Sequence, residues 1–297
     1  VTIVIAGGSG FLGTKLCKRL ASEGHHVLIL SRRPSVGGDQ IAWQPDGNAG
    51  ALPSHLEGVD AIVNLAGENI AEKRWTAARK DALKNSRILS TRTLVRAVAA
   101  CKHPPGVFVS GSAIGYYGWH GDEAVTESTP AGSDFLARLC VEWEGEAGAV
   151  KSGATRLVIV RSGLPLDRDG GALARMLPPF MMGVGATVAS GDQFMPWIHV
   201  DDWTAMVSWL IQNDRAAGAF NATAPSPVTN RAFTQTLARV LHRPAILHAP
   251  AFALRLALGE MASMLVHGQR VLPAAAEQLG FRFSHRTLEP ALESLDL

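Results

Sequence analysis

Tyrosine occurs only twice in this chain, and cysteine three times in 297 residues. Cys17, Cys101 and Cys140 are far apart and odd in number, so they supply neither a disulfide framework nor metal-ligand spacing, and no bound metal is expected. They read as small apolar fillers in a reducing, cytoplasmic compartment. An excess of one charge is also missing. The formal net charge is +2, and no clustered basic face of the kind that grips nucleic acid is evident. The densest basic stretch, Arg74 to Lys84, is interleaved with alanine and acid and reads as a solvated helix face. The most apolar late stretch, Pro250 to Val266, is interrupted by Arg255 and Glu260; this argues for an amphipathic helix and against a membrane span, and no membrane partner is expected. The chain opens directly on an apolar strand, Val1–Ala6, without the basic segment and apolar run of a secretory leader.

What remains is ample core material, 47% hydrophobic residues against 18% charged, which excludes a disordered chain. Short β-branched runs alternate with helical segments, the pattern of a parallel sheet covered on both faces. Strands are predicted at Val1–Ala6, His26–Leu30, Ala61–Leu65, Val107–Ser110 and Leu157–Arg161, with helices at Phe11–Glu23, Ala71–Ala100 and Asp134–Val150. Glycine and proline then crowd the chain, and residues 165–200 are expected to loop out over a cleft. A helix at Val200–Gln212 and a strand at Ala219–Ala222 complete the sheet. The expected division is a nucleotide-binding domain over residues 1–224 and a small, mostly helical lobe over 225–297. That lobe should hold helices at Asn230–Leu241, Ala251–Leu265 and Leu288–Leu295.

Gly7-Gly8-Ser9-Gly10-Phe11-Leu12-Gly13 follows the first strand and opens a helix. Gly7 permits the sharp turn, Gly10 lets backbone approach a pyrophosphate, and Gly13 lets helix and strand pack closely. The free N–H groups of the helix start, at Phe11 and Leu12, then face the phosphates. The end of the second strand selects the nucleotide. NAD-preferring proteins carry Asp or Glu there to hold the ribose hydroxyls. This chain has Ser31-Arg32-Arg33 and no carboxylate. A guanidinium pairs with a 2′-phosphate that an acid would repel, so NADP(H) is the expected cofactor.

Further motifs are Asn64-Leu65-Ala66-Gly67, Ser110-Gly111-Ser112-Ala113-Ile114-Gly115-Tyr116-Tyr117-Gly118, Trp197-Ile198-His199-Val200-Asp201-Asp202 and Gly218-Ala219-Phe220-Asn221. With the glycine turn they resemble the atypical "epimerase family" branch of the extended short-chain dehydrogenase/reductases. The tail, with Leu258-Gly259-Glu260-Met261 and Gly280-Phe281-Arg282-Phe283, is similar to that branch's small C-terminal domain of unknown function. The resemblance spans nearly the whole chain. It implies an α/β, doubly wound Rossmann fold and an NADP-type cofactor touched by Ser31, Arg32, Leu65, Ala66, Gly67, Arg87 and Leu164. It names no substrate, so an unknown small molecule is expected, with the protein a monomer or homodimer.

Catalysis in that superfamily resembles proton transfer from a Tyr activated by a Lys one helical turn later, beside an orienting Ser. Ser112 matches the Ser. No Tyr-x-x-x-Lys occurs: Leu136 and Cys140 stand at the two positions in the best register, and Asp134 and Arg138 in the next. Ser112, Tyr116, Tyr117 and Glu127 are the candidates for proton chemistry, with Ser112 and Tyr116 preferred. His199 is expected to position the following helix, with Asp202 as its N-cap. Two readings stay open: an NADP(H)-dependent oxidoreductase of low activity, favoured by Ser112 and the intact turn, and a non-enzymatic NADP(H)-binding redox sensor, favoured by loss of the Tyr–Lys pair.

Overall fold

The computed structural model describes residues 1–34, 38–150 and 154–297. Its main sheet has seven parallel strands: β1 (Thr2–Ala6), β2 (His26–Ser31), β3 (Gln40–Ala42), β4 (Ala61–Asn64), β5 (Val107–Ala113), β6 (Arg156–Ser162) and β7 (Gly218–Ala222). Their spatial order is β7-β6-β5-β4-β1-β2-β3. This is the doubly wound architecture that the alternating pattern implies. Strand side chains alternate between faces, so each strand feeds two cores. Ile3 and Ile5 pack with α1 (Phe11–Ser22) and α6 (Val200–Gln212), through Leu16, Leu20, Trp203 and Met206. Val4 and Ala6 point the other way, toward α3 (Ala77–Ala99) and α4 (Phe135–Gly148), through Leu94, Val98 and Ala147. Burial on both faces is why these strands are apolar throughout rather than alternating.

Between α1 and α3 lies the short α2 (Leu52–Leu56), and α5 (Gly171–Met181) sits within the segment expected to loop out. The tail adds α7 (Asn230–Val240), α8 (Ala251–Leu258), α9 (Ser263–Val266), α10 (Ala274–Leu279) and α11 (Leu288–Glu293). A third core joins Leu166, Leu173, Phe180 and Trp197 to Phe233, Leu237, Leu288 and Leu292. The cover segment is therefore packed onto the tail. Ala276, Phe281 and Phe283 return to the first core, against the β7 side of the sheet.

Three local expectations change, and one strand was not predicted. The long helix begins at Ala77, because Thr76 caps it by accepting from Arg79 N–H (3.1 Å). The helix predicted over Ala251–Leu265 breaks at Gly259, whose φ of +63° interrupts the ladder before a 3₁₀ turn at Gly259–Ala262. The N-cap of α6 is His199, whose Nδ1 accepts from Asp201 N–H (3.1 Å). Asp202 instead lies buried and accepts the N–H groups of Ser284 and His285, both at 2.8 Å. Edge strand β3 has only three residues, too few for a periodic signal.

Candidate functional site

Parallel strands end along one edge, and the sheet order reverses between β1 and β4, the place where open α/β sheets form a crevice. The glycine turn occupies it. Gly7 has φ +82°, and a Cβ there would lie 2.7 Å from the Leu65 carbonyl carbon, so the turn is pressed against the end of β4. A Cβ on Gly13 would fall 2.1 Å from the Gly7 oxygen. At Gly10 the same test meets only the Gly7 oxygen, at 3.2 Å. Internal packing thus demands glycine at positions 7 and 13 far more than at 10, where close approach of a ligand is the better reason. No side chain caps α1, and its ladder starts with Thr14 N–H to the Gly10 oxygen (2.8 Å). The N–H groups of Phe11, Leu12 and Gly13 precede that bond, at the positive end of the helix dipole.

Around this turn the structure gathers most of the expected cofactor residues. Arg32 and Arg33 are exposed at the end of β2 and form no ion pair among the described residues. Ser31 turns its Oγ to accept from Arg33 N–H (3.2 Å). Leu65, Ala66 and Gly67 leave β4 beside Gly7, with Ala66 N–H bonded to the Asn64 side chain (3.2 Å). Arg87 lies beneath Gly67, donating to the carbonyls of Leu83 and Glu68, each at 3.0 Å, and burial lowers its pKa. Leu164 starts the strand that leaves β6, its N–H held by the Pro196 oxygen (2.8 Å). Lys15 on α1 pairs with the buried Asp167 (2.6 Å), tying the helix to the cover segment.

The end of β5 carries Ser112, whose hydroxyl donates to Glu144 Oε1 (2.6 Å). Glu144 also receives Arg161 Nε (2.8 Å) and Nη2 (2.7 Å), a bidentate pair. Burial works against the Arg161 charge, but the bonds from Glu144 outweigh it and hold the guanidinium above its ordinary range. Arg161 Nη1 donates to the Tyr117 hydroxyl (2.9 Å), which donates onward to Asn221 Oδ1 (2.6 Å). Tyr117 is buried, its phenol pushed up to about 12 by burial, against the lowering effect of Arg161. The same guanidinium stacks on Tyr116, 3.5 Å from the ring centroid. Tyr116 is half-buried, and its hydroxyl has no hydrogen-bond partner among the described residues.

Of the other candidates, Glu127 accepts the N–H groups of Asn221 (2.9 Å) and Ala275 (3.1 Å) and fastens the start of α10 to β7. His199 is buried beneath His285. Leu136 and Cys140 face the end of β5 from α4, Leu136 against Gly115 and the Cys140 thiol toward the Ala113 oxygen (3.7 Å). Burial pushes that thiol up to about 12. The Arg161–Glu144 pair escaped the reading of the sequence. Its only signal was a charge closing the apolar run Leu157-Val158-Ile159-Val160 and a glutamate one turn after Cys140. All three cysteines are free, and no group of residues able to hold a metal occurs among the described residues. No helix among them is long and apolar enough to cross a membrane.

Comparison with known proteins agrees with this geometry. Residues 3–223 match the NAD dependent epimerase/dehydratase family, and residues 249–295 match a domain of unknown function, DUF1731. The chain is 40% identical over 292 residues to epimerase family protein Mb2239 of Mycobacterium bovis, covering 98% of this chain and 96% of that one. It is 38% identical over 300 residues to epimerase family protein YfhF of Bacillus subtilis, covering 99% and 98%. The crystal structure of human epimerase family protein SDR39U1 with NADPH superposes with a TM-score of 0.93 at 34% identity, covering 99% of both chains.

Proposed function

This chain belongs to the NAD dependent epimerase/dehydratase family, and from that premise we propose that it is an NADP(H)-dependent oxidoreductase acting on a small molecule. The observation that carries the reading is a pair of exposed arginines, Arg32 and Arg33, with no ion pair among the described residues, beside a helix start without a side-chain cap. An exposed guanidinium pair without a carboxylate fits a 2′-phosphate and leaves a ribose diol without its acceptor. The NADPH in the human relative's crystal structure supports the same choice. We assign residues 1–224 to nucleotide binding and 225–297 to a lobe over the cleft, in a monomer or homodimer of the cytoplasm.

Gly7, Gly10 and Gly13, with the N–H groups of Phe11 and Leu12, hold the pyrophosphate, and Ser31, Arg32 and Arg33 hold the 2′-phosphate. Leu65, Ala66, Gly67, Arg87 and Leu164 line the rest of the crevice. The bound nucleotide supplies hydride chemistry. The single hydroxyl proton of Ser112 goes to Glu144, so Ser112 meets a substrate as an acceptor and orients a hydroxyl rather than polarising a carbonyl. Tyr116 is the phenol left to exchange a proton, with Arg161 on its ring face.

A redox sensor is the second reading, favoured by Leu136 and Cys140 where the Tyr–Lys pair would stand. Calorimetric titration with NADPH and NADH tests the common premise, and equal affinities would refute it. A panel of aldehydes, ketones, alcohols and sugar nucleotides then separates the readings, with Ser112→Ala and Tyr116→Phe as controls. Turnover that both substitutions abolish supports the enzyme. Turnover indifferent to both removes this site. Tight binding without turnover supports the sensor.

A further inference from the structure

Charge is distributed unevenly along this nearly neutral chain. No Asp or Glu stands between Asp169 and Asp192, and none between Asp214 and Glu260. The fold brings these two acid-free stretches together. Strand Ala186–Val188 pairs with Leu247–Ala249, and Arg243 Nε donates to the Met181 oxygen (3.2 Å). The surface they share is unusual in a second way. Met182 is 71% exposed, Ile246 87%, Phe252 74% and Leu256 80%. Phe252 and Leu256 lie one turn apart on α8 and so project from the same side of the helix. Single exposed apolar side chains are ordinary, but four large ones on adjoining segments mark an interaction surface.

Beside them is a hollow of about 580 Å³, lined in part by Arg239, His242 and Arg243. Arg239 is engaged by Glu289 (3.0 Å), whereas Arg243 and Arg255 have no acidic partner among the described residues. Both stretches carry cations and no Asp or Glu, and Glu289 beside the hollow is engaged by Arg239, so the excess positive charge disfavours a second copy of this face and attracts an anionic surface. Its apolar groups stand out as knobs on a helix and at a strand end, in the manner of interfacial helices that bury Phe and Leu below lipid headgroups while arginines meet the phosphates. We propose that this face of the C-terminal lobe docks on an anionic phospholipid bilayer, with phosphate headgroups in the Arg243 hollow and Phe252, Leu256, Ile246 and Met182 inserted. This departs from the expectation of no membrane partner, which was argued from the lack of a spanning segment; surface docking needs only these exposed side chains.

The test is co-sedimentation of the full chain with phosphatidylglycerol–phosphatidylcholine vesicles and with phosphatidylcholine alone. Binding to the anionic vesicles, weakened by added salt, is expected. Arg243→Ala and Arg255→Ala should each lower the partition coefficient roughly fivefold, and Phe252→Ser/Leu256→Ser should abolish retention. These positions are exposed, so every variant should keep its native melting temperature and its NADPH-induced thermal shift, which separates a failure here from a failure of the cofactor assignment. Equal binding to neutral vesicles, or no binding to anionic ones, would overturn the proposal. So would a dimer in light scattering that Phe252→Ser/Leu256→Ser dissolves while vesicles are ignored, because the face would then be a self-association surface.

Discussion

Replacing Glu144 by Gln removes one charge from an enclosed pair and almost nothing else. The side chains of Arg161 and Glu144 are 5% and 13% exposed, so water screens little of their interaction. The carboxylate receives two bonds from Arg161 and one from Ser112. Removing one partner of such a pair costs about 3–5 kcal/mol, chiefly because the remaining charge stays buried. Glutamine keeps one acceptor oxygen, which places the loss near the low end, about 3 kcal/mol. At roughly 1.5–2 °C per kcal/mol for a chain of this length, the melting temperature should fall by about 5 °C. Scanning calorimetry without ligand reads this directly. A second step isolates the pair: Arg161→Met should be costly in the native background and far cheaper on top of Glu144→Gln, because the orphaned charge has gone. The NADPH-induced shift should survive in Glu144→Gln, since the proposed phosphate cradle lies across the sheet edge at β1 and β2. A Glu144→Gln protein melting within about 1 °C of native would refute the reasoning, and so would strict additivity of the two substitutions.

Arg32→Ala should erase most of the preference for NADPH over NADH in calorimetric titration. One charge-assisted contact contributes about 1.5–3 kcal/mol, and exposure puts this one at the lower end, about tenfold in affinity. Gly10→Val should leave the melting temperature of the ligand-free protein nearly unchanged but remove its NADPH-induced rise, because its Cβ meets only the Gly7 oxygen at 3.2 Å. Gly13→Ala should destabilise even the ligand-free protein, its Cβ falling 2.1 Å from that oxygen. His199 titrates below its ordinary 6.5 because of burial and of His285. Between the folded value and 6.5 the unfolded chain holds more protons, so the stability His199 contributes is present above pH 6.5 and declines as pH falls. Melting temperatures should drop on acidification over that range in the native protein. They should drop less in His199→Asn, which retains a capping acceptor; an unchanged slope would exclude His199 as the source.

The turn and strand end proposed to hold the nucleotide's phosphates were legible as a pattern because local rules write them into consecutive residues. Gly7, Gly10 and Gly13 answer to one turn, and Ser31-Arg32-Arg33 to one strand end. The network at β5 was not legible in the same way. Ser112 and Tyr117 share one motif, but Glu144, Arg161 and Asn221 come from three other places in the chain; parallel pairing in register aligns Ser112, Arg161 and Asn221 (Ser112↔Arg161, Asn221↔Arg161), and α4 adds Glu144. Tyr116 and Tyr117 are neighbours in sequence, yet burial gives them opposite fates, one phenol bonded on both sides and the other without a partner among the described residues. Asp202 looked like a cap by position, and lost that role to His199 because the tail at Ser284 and His285 claims its carboxylate.

The path of the tail has a consequence for biosynthesis. Phe281 and Phe283 complete the first core on the β7 side of the sheet, and Leu288 and Leu292 complete the core that holds the cover segment. A nascent chain that has released all seven strands therefore still shows water two unfinished apolar faces until residues near 290 have cleared the ribosome. Chaperones that recognise exposed apolar surface should engage it during that interval. A stop codon anywhere after β7 and before α11 should yield an aggregating fragment rather than a freestanding nucleotide-binding domain.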